Sequence, residues 1–284
     1  MPDMTAAKAP PNIFDEDALA LRRLRAAKRE DSFLMERCVA DLIDRLLDVN
    51  RDFENVLIYG PSTLDTAIRS KLPDSKINNI STFETLDTLP SRPDFDLIIS
   101  LLRLQSLNDL PGGIIRLSKC LKADGLFIGA MFGGDTLTEL RQVFYAVDEM
   151  HLGGLSAHIY PMVSHTQAGA LLARAGLNQP VIDTDRFTVS YGKLNTLISD
   201  LRDLGETNIL SERVKTPLGR AYKTALEATY KDMFSTQNNK LTCSFEILWL
   251  TGWTPHESQQ KPLKPGSAKM RLEDSLKDIR KRRP

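Results

Sequence analysis

Short apolar runs alternate along the chain with longer stretches in which apolar residues recur at helical spacing. Three of the runs, 55–60, 95–102 and 126–131, are apolar almost throughout and end at polar or glycine-containing turns. Such runs are typical of parallel strands that helices cover on both sides. The clearest helical stripe precedes them and consists of Phe33, Leu34, Leu42, Ile43, Leu46 and Leu47. The pattern predicts an α/β fold with a largely parallel sheet.

Other segments complete this alternation of helices and strands. They are a helix over 19–29, a strand at 76–80, a helix that begins at 108–111 and ends near 122, a helix from 136, a helix over 167–175, a strand over 181–191, helices within 194–234 and a last strand over 245–250. The chain is expected to divide into an N-terminal tail and basic helix over 1–30, an α/β core over 31–192, a helical insertion (lid) over 193–240, the last core strand over 241–254 and a basic C-terminal tail over 255–284.

The turn that follows the run 126–131 is the first candidate site. Gly133-Gly134 ends the run, and Thr136 and Glu139 then stand three residues apart. This spacing is that of a capping box, in which the hydroxyl and the carboxylate each bind a backbone N–H at a helix start. Ligands of open α/β sheets bind at the carboxyl ends of the strands, where free helix N–H groups favour polar or anionic partners.

The motifs of the chain also carry a family resemblance. The segment GAMFGGDTLTELR, with NDLPGGIIRLSKCLKADG before it and ETN and TGWTPHESQQKPLKPGSAK after it, resembles the methyltransferase-like family of respiratory complex I assembly factors and their alphaproteobacterial relatives. The similarity extends over about 13–268. It implies the class I S-adenosylmethionine (SAM) methyltransferase fold, in which a Rossmann-like sheet is flanked by helices and an insertion before the last strand covers the substrate. It also implies SAM as cofactor and a complex I subunit as partner, because eukaryotic members are associated with arginine hydroxylation of such a subunit.

The cofactor half of the chain departs from the pattern of that fold. The turn after the first strand reads Gly60-Pro61-Ser62-Thr63, so it has a single glycine, and its proline offers no N–H. About 35 residues separate Gly60 from the strand near Asp96, whereas one strand-helix-strand unit takes roughly 30. The fold needs more than one such unit here, so we expect one helix and one strand to be trimmed or missing.

Candidate residues follow from the resemblance and from the strand ends. Residues expected near the cofactor are Gly60, Glu84, Leu102 and Arg103. Glu84 is the acidic residue for the ribose hydroxyls, although it comes slightly later than the usual 20 or so positions after the glycine turn. Where relatives often carry an aromatic pair with histidine, this chain has Gln105-Ser106.

The substrate side has its own candidates. Asp135 and His256 are the catalytic candidates; Asp135 either orients a cationic guanidinium or acts only as a turn and cap residue. Residues expected to contact the substrate or a partner are Thr136, Glu206, Glu257 and Lys261. The basic tail is expected to dock over the mouth of the site or onto a partner. The basic run at 21–29 is a solvated helix face or, alternatively, a lid or partner contact.

Composition excludes several classes of function. The 284 residues have a formal net charge of zero, so no overall field attracts the protein to nucleic acid or to an anionic membrane. The three cysteines are far apart, which makes structural zinc and disulfides unexpected and a reducing compartment the default. His151, His158 and His165 are spaced by seven and match no common ligand pattern, so no metal is expected. We expect no membrane span and no targeting segment, and a bacterial cytoplasm fits best.

Three functions remain open. The first is a SAM-dependent methyltransferase or a related enzyme of the same fold, which needs an aligned substrate but no catalytic triad. The second is a non-catalytic assembly or binding factor that keeps the methyltransferase scaffold but has lost efficient cofactor binding. The third is a small-molecule methyltransferase that acts on an acyl-carrier thioester.

Overall fold

The computed structural model describes residues 12–29 and 32–260. Its helices are α1 (Glu16–Ala26), α2 (Phe33–Asp48), α3 (Thr63–Arg69), α4 (Leu110–Ser118), α5 (Thr138–Leu152), α6 (His165–Arg174), α7 (Leu194–Asp203) and α8 (Gly219–Phe234). Its strands are β1 (Phe53–Tyr59), β2 (Ile77–Phe83), β3 (Phe95–Leu101), β4 (Leu121–Phe132), β5 (Asn178–Tyr191) and β6 (Leu241–Trp253). Two one-turn 3-10 segments lie at Leu86–Thr88 and Leu104–Ser106.

The strands form one sheet in the order β2-β1-β3-β4-β6-β5. Strands β1 to β4 are mutually parallel, whereas β6 runs antiparallel to both of its neighbours. The doubly wound order 3-2-1-4-5-6 has a further strand outside the second one. In the described part of the chain β2 is the edge, and only α3, β2 and a 3-10 turn separate β1 from β3. The predicted Rossmann-like fold is confirmed, and so is the shortening of its cofactor half.

Both faces of the sheet are buried, as the continuous apolar runs predicted. All seven residues of β3 are buried. Alternate residues of β1 enter opposite clusters, with Val56 and Ile58 on the face of α2, α5, α7 and α8, and Leu57 and Tyr59 on the face of α4 and α6. Helices cover a parallel sheet in this way because its strands carry apolar side chains on both faces.

The stripe predicted for α2 is correct in its centre and wrong at its ends. The helix buries Leu34, Cys38, Leu42 and Leu46, whose spacing of four places them on one face. Phe33 and Leu47 were predicted in the same stripe but are 37% and 52% exposed. They fall outside the narrower face that touches the sheet.

Helices α7 and α8 belong to the main core. Leu197 of α7 and Tyr222, Leu226 and Tyr230 of α8 are buried in the same cluster as the strands. The predicted helical insertion is therefore packed directly on the sheet, and its movement as a lid stays a prediction. The helix boundaries 194–234 agree with the sequence pattern.

The capping box predicted at Thr136 and Glu139 is wrong. Helix α5 begins two residues later, after Leu137 with a φ of 60°. The Thr136 hydroxyl donates to the carbonyl of Glu246 (2.9 Å) and accepts from its N–H (3.0 Å). The Glu139 carboxylate accepts from the N–H of Ser244 (2.9 Å). Both side chains bind β6 because that strand passes beside the turn, which local spacing does not show.

Helix α4 also ends earlier than predicted. It stops at Ser118 instead of near residue 122, because Leu121 already pairs with Phe95 of β3. Its start is as expected: the Asp109 carboxylate accepts from the N–H of Gly112 (2.9 Å), and Pro111 lies in the first turn.

The N-terminal segment is tied to residues 209–213, far away in the sequence. The N–H of Asp15 donates to the carbonyl of Ile209 (2.8 Å), and its carboxylate pairs with Arg213 (2.8 Å). Phe14 packs edge-on against Tyr160. These contacts place α1 across the carboxyl edge of the parallel strands, next to the loop that follows β3.

Candidate functional site

Two predicted cofactor residues lie side by side at the carboxyl ends of β1 and β2. The N–H of Gly60 donates to the carbonyl of Phe83 (3.0 Å), and Glu84 follows directly. Glu84 is exposed, and no hydrogen bond joins its carboxylate to a described side chain or backbone group. A Cβ on Gly60 would lie 2.9 Å from Leu64 Cδ1, so a larger residue here would make the Leu64 side chain shift. The position of Glu84 is that of the acidic ribose ligand in dinucleotide-binding folds.

Arg103 lies beside them, at the end of β3. Leu102, which precedes it, has a φ of 50°, a backbone conformation that leucine rarely adopts. Burial, and then the positive charge of Arg23, lower the pKa of Arg103 to about 10. The Arg103 side chain also lies close to Gly60, because its Cγ is 4.0 Å from where a Cβ on that glycine would be. Three strand ends thus bring together the four predicted cofactor residues, with a buried positive charge among them.

Helix α1 contacts this region through Arg23. The Arg23 guanidinium donates to the Ser106 hydroxyl (2.7 Å) and lies 4.0 Å from the Glu206 carboxylate. The side chain of Arg23 is only 16% exposed. The basic helix is therefore not simply a solvated face, and Gln105-Ser106 provides one of its contacts in place of an aromatic pair.

A separate cavity of about 330 Å³ opens between α1, α5, α7 and the loop after α5. Most of its wall is apolar and includes Phe132, Leu140, Phe144, Ile198 and Leu201. Its polar wall includes Arg22, His158, Tyr160, Arg202, Glu206 and Thr207. None of the four predicted cofactor residues lines it.

Glu206 is the buried acid of this cavity. Its side chain is 1% exposed, it accepts a hydrogen bond from the Tyr160 hydroxyl, and its Oε1 has no hydrogen-bond partner among the described residues. Burial, reinforced by the negative charge of Glu206, raises the pKa of Tyr160 well above its usual range. The sequence placed Glu206 near the substrate, and the structure places it in the cavity wall.

A histidine in the cavity wall belongs to a group that the sequence did not reveal. His158 Nε2 lies 3.0 Å from both carboxylate oxygens of Asp148, and the Tyr222 hydroxyl donates to the same carboxylate. Asp148 is fully buried, and Phe144 stacks on the histidine ring at 4.1 Å between centroids. The group joins α5, α8 and the loop after α5. Its members are too far apart in the chain for any spacing motif.

A basic cleft of about 390 Å³ lies next to the cavity. Arginines line this cleft from two helices: Arg22, Arg25 and Arg29 from α1, and Arg202 from α7. Arg22 and Arg202 line both the cavity and the cleft. Arg29 is paired with Asp203.

The predicted substrate residues of the GGDT turn do not face this cavity. Asp135 is exposed and pairs with Arg186 (3.0 Å), and both line a smaller cavity of about 280 Å³ beside β6. The Thr136 side chain is fully buried against Glu246. The expectation that Thr136 contacts a substrate is therefore wrong, because its hydroxyl is already bound to the strand.

The structure also separates the two predicted catalytic residues. Thr254, two residues before His256, binds the backbone of Gly125 at the start of β4 (2.8 Å), whereas Asp135 follows the end of that strand. Eight residues of strand separate the two ends by about 26 Å. The expectation that Asp135 and His256 lie together is wrong.

The rest of the predicted tail site follows His256. Glu257 is exposed at the same far edge of the sheet. Gln259 holds this part of the tail in place, since its amide donates to Asp124 (2.9 Å) and accepts from Asn178 (2.8 Å). Lys261 lies outside the described residues. The described part of the tail therefore does not cover the cavity.

In residues 12–29 and 32–260 no group of three or more His, Cys, Asp or Glu side chains is placed to hold a metal ion. Within the same ranges no helix is long and apolar enough to cross a membrane.

The sequence is similar to several known proteins. No family model matches the sequence. The chain is 33% identical over 281 residues to human arginine-hydroxylase NDUFAF5, mitochondrial, a match that covers 90% of this chain and 81% of that protein. The zebrafish (Danio rerio) protein of the same name is 33% identical over 290 residues, with 94% and 90% covered. Malonyl-[acyl-carrier protein] O-methyltransferase of Xylella fastidiosa (strain M23) is 38% identical over 169 residues, or 59% of this chain and 55% of that one.

Among solved structures, the YcgJ protein from Bacillus matches with a TM-score of 0.47 at 11% identity and covers 77% of this chain and 98% of that chain. A likeness this distant adds nothing to the topology described above. The match to the NDUFAF5 proteins, in contrast, extends over nearly the whole of both sequences and agrees with the motifs. This chain belongs to the methyltransferase-like family of the arginine-hydroxylase NDUFAF5 proteins.

Proposed function

We propose that this chain is a SAM-dependent methyltransferase-like protein that acts on a subunit of respiratory complex I in a bacterial cytoplasm. The names of its relatives, arginine-hydroxylase and O-methyltransferase, support an enzyme of this fold. The observation that carries the proposal is the placement of Gly60 and Glu84 on adjacent strand ends, with Arg103 beside them.

The residues at these strand ends fit the chemical groups of SAM. The exposed carboxylate of Glu84 is available to accept hydrogen bonds from ribose hydroxyls. Arg103 is a buried cation whose pKa is lowered by burial and by Arg23, so a carboxylate ligand such as that of the methionine moiety would stabilise it. When bound, SAM supplies a transferable methyl group. Glu84 and Arg103 would then hold its two ends.

Titration calorimetry of the purified full chain with SAM and with its demethylated product tests this proposal. We expect micromolar binding, weakened at least about tenfold in Glu84→Gln and in Arg103→Gln, because each variant loses a hydrogen bond with a charged partner. Asp74→Asn is the matched control, since Asp74 is exposed just before β2, at the opposite end from Glu84. Unchanged affinity in both site variants would contradict the assignment of these residues.

A non-catalytic assembly factor is the second candidate, and a specific observation favours it. Pro61 offers no N–H to a ligand, and the Arg103 side chain lies against Gly60 where a cofactor would approach. If the unmodified chain binds no SAM up to millimolar concentration, this candidate replaces the first. Pro61→Gly then shows whether the missing amide is the cause, and co-purification with complex I subunits tests the partner.

A further inference from the structure

The apolar cavity and the basic cleft are neighbours, since Arg22 and Arg202 line both. We propose that together they are a binding site for a medium-chain fatty acid, with the acyl chain in the cavity and the carboxylate at the arginines. The site is distinct from the ends of β1, β2 and β3 and does not depend on the function proposed above.

The size and lining of the cavity select an acyl chain. A volume of about 330 Å³ lies at the lower end of the range for small-molecule pockets, roughly 300–1,000 Å³. At about 30 Å³ for each water-sized group, it holds about ten non-hydrogen atoms. Most of its wall is apolar and includes Phe132, Leu140, Phe144, Ile198 and Leu201, which offer no side-chain hydrogen bonds; its polar part includes Arg22, Tyr160, Arg202 and Glu206. A chain of about eight to ten carbons matches both the size and the polarity.

The charge of the cleft selects an anionic head group. Arg29 is paired with Asp203, but Arg22, Arg25 and Arg202 make no ion pair with a described residue. Nη1 of Arg22 is buried without a hydrogen-bond partner. Burial lowers the pKa of Arg22, and Arg22 makes no ion pair with a described residue, so a carboxylate at this position would stabilise its charge.

The buried acid sets the direction of the ligand. Glu206 lines the cavity but not the cleft, and its Oε1 has no hydrogen-bond partner in the described structure. A fatty-acid carboxylate inside the cavity would be repelled by Glu206, whereas the acyl chain would not. The carboxylate therefore remains at the mouth beside Arg22 and Arg202, and the chain enters first.

Calorimetric titration of the full chain with sodium octanoate, below its micelle concentration, tests the proposal. Octanamide has the same chain without the charge, and acetate and inorganic phosphate have a charge without the chain. We expect octanoate to bind at least about tenfold more tightly than octanamide, because charged hydrogen bonds are the stronger ones. Acetate and phosphate are expected to give no measurable heat. Equal binding of octanamide, binding of acetate or phosphate as tight as that of octanoate, or no binding of octanoate overturns the proposal.

Variants separate the two halves of the site. Arg202→Gln changes an exposed arginine that lines both spaces, so a loss of octanoate affinity of about tenfold, with the circular dichroism spectrum retained, would report the head-group contact. Ile198→Trp fills the cavity and is expected to abolish binding while the circular dichroism spectrum is retained. Arg220→Gln, an exposed arginine that lines neither space, is the control. Glu84→Gln is expected to leave octanoate binding unchanged, so failure here and failure of SAM binding are distinguishable.

Discussion

Gly133 and Glu246 are so close that a single methyl group should disturb a buried charge. A Cβ on Gly133 would lie 2.4 Å from Oε2 of Glu246 and 2.7 Å from its Cδ, well inside any real contact. Gly133→Ala must therefore push the carboxylate of Glu246 out of its place. That carboxylate is 4% exposed and accepts from the N–H of Asp135 (3.0 Å) and from Arg186 (2.8 Å).

The cost follows from the contacts that are lost. Pushing a buried carboxylate away from its hydrogen-bond donors costs about 1–3 kcal/mol. The ion pair with Arg186 adds less than about 1 kcal/mol, since the arginine is 65% exposed. We expect Gly133→Ala to lower the free energy of unfolding by about 2–3 kcal/mol, and Glu246→Ala by a similar amount. In the double variant the methyl group occupies the space that the carboxylate has left, so the cost should be close to that of Glu246→Ala alone.

Equilibrium urea unfolding of the four proteins, followed by circular dichroism, measures this coupling. The expected coupling is about 2 kcal/mol, within the range seen for residues in contact. Gly154→Ala is the control, because no atom lies within 4 Å of a Cβ built there. If the costs of Gly133→Ala and Glu246→Ala add to within about 0.5 kcal/mol, the steric reasoning is refuted.

Two further predictions concern buried groups. Asp148→Asn keeps the shape of the group that binds His158 but removes its charge, and urea unfolding should show a loss of about 1–3 kcal/mol; an unchanged midpoint would contradict this role. Burial raises the pKa of Cys38 from 9.0 to about 12. The unfolded chain therefore releases this proton at a lower pH than the native protein does. The free energy of unfolding is retained below pH 9 and falls between pH 9 and 12 by at most about 1.4 kcal/mol per pH unit. Urea midpoints at pH 8 and pH 10.5 should fall less in Cys38→Ala than in the unmodified protein, and parallel falls would refute the assignment.

The elements that were predicted correctly are those whose cause is local. The continuous apolar runs predicted β1, β3 and β4. The short distance from Gly60 to Asp96 predicted the missing edge strand. Glu84 also fell at the end of β2, although its spacing was slightly long. Strand number and strand ends depend on chain length and polarity, which a sequence displays directly.

The features that were missed depend on neighbours far away in the chain. Thr136 was predicted to cap a helix, but β6 passes beside it and binds its hydroxyl. His256 was grouped with Asp135 because both lie in distinctive motifs, yet the antiparallel course of β6 carries the tail to the opposite edge. The bond between Asp148 and His158 depends on the fold of the loop after α5, for which no periodic pattern exists.

The ties between α1 and residues 209–213 make the binding cavity a late product of folding. Asp15 cannot bind Ile209 or Arg213 until nearly 200 further residues have been synthesised, which takes roughly 10–40 s at ribosomal rates. Contacts of such high sequence separation also close slowly, since their loop entropy is lost before they form. The sheet of local βα units is expected to assemble first, and α1 docks onto it last. A chain in which α1 has not docked therefore lacks the Arg22 wall of the cavity and the α1 side of the basic cleft.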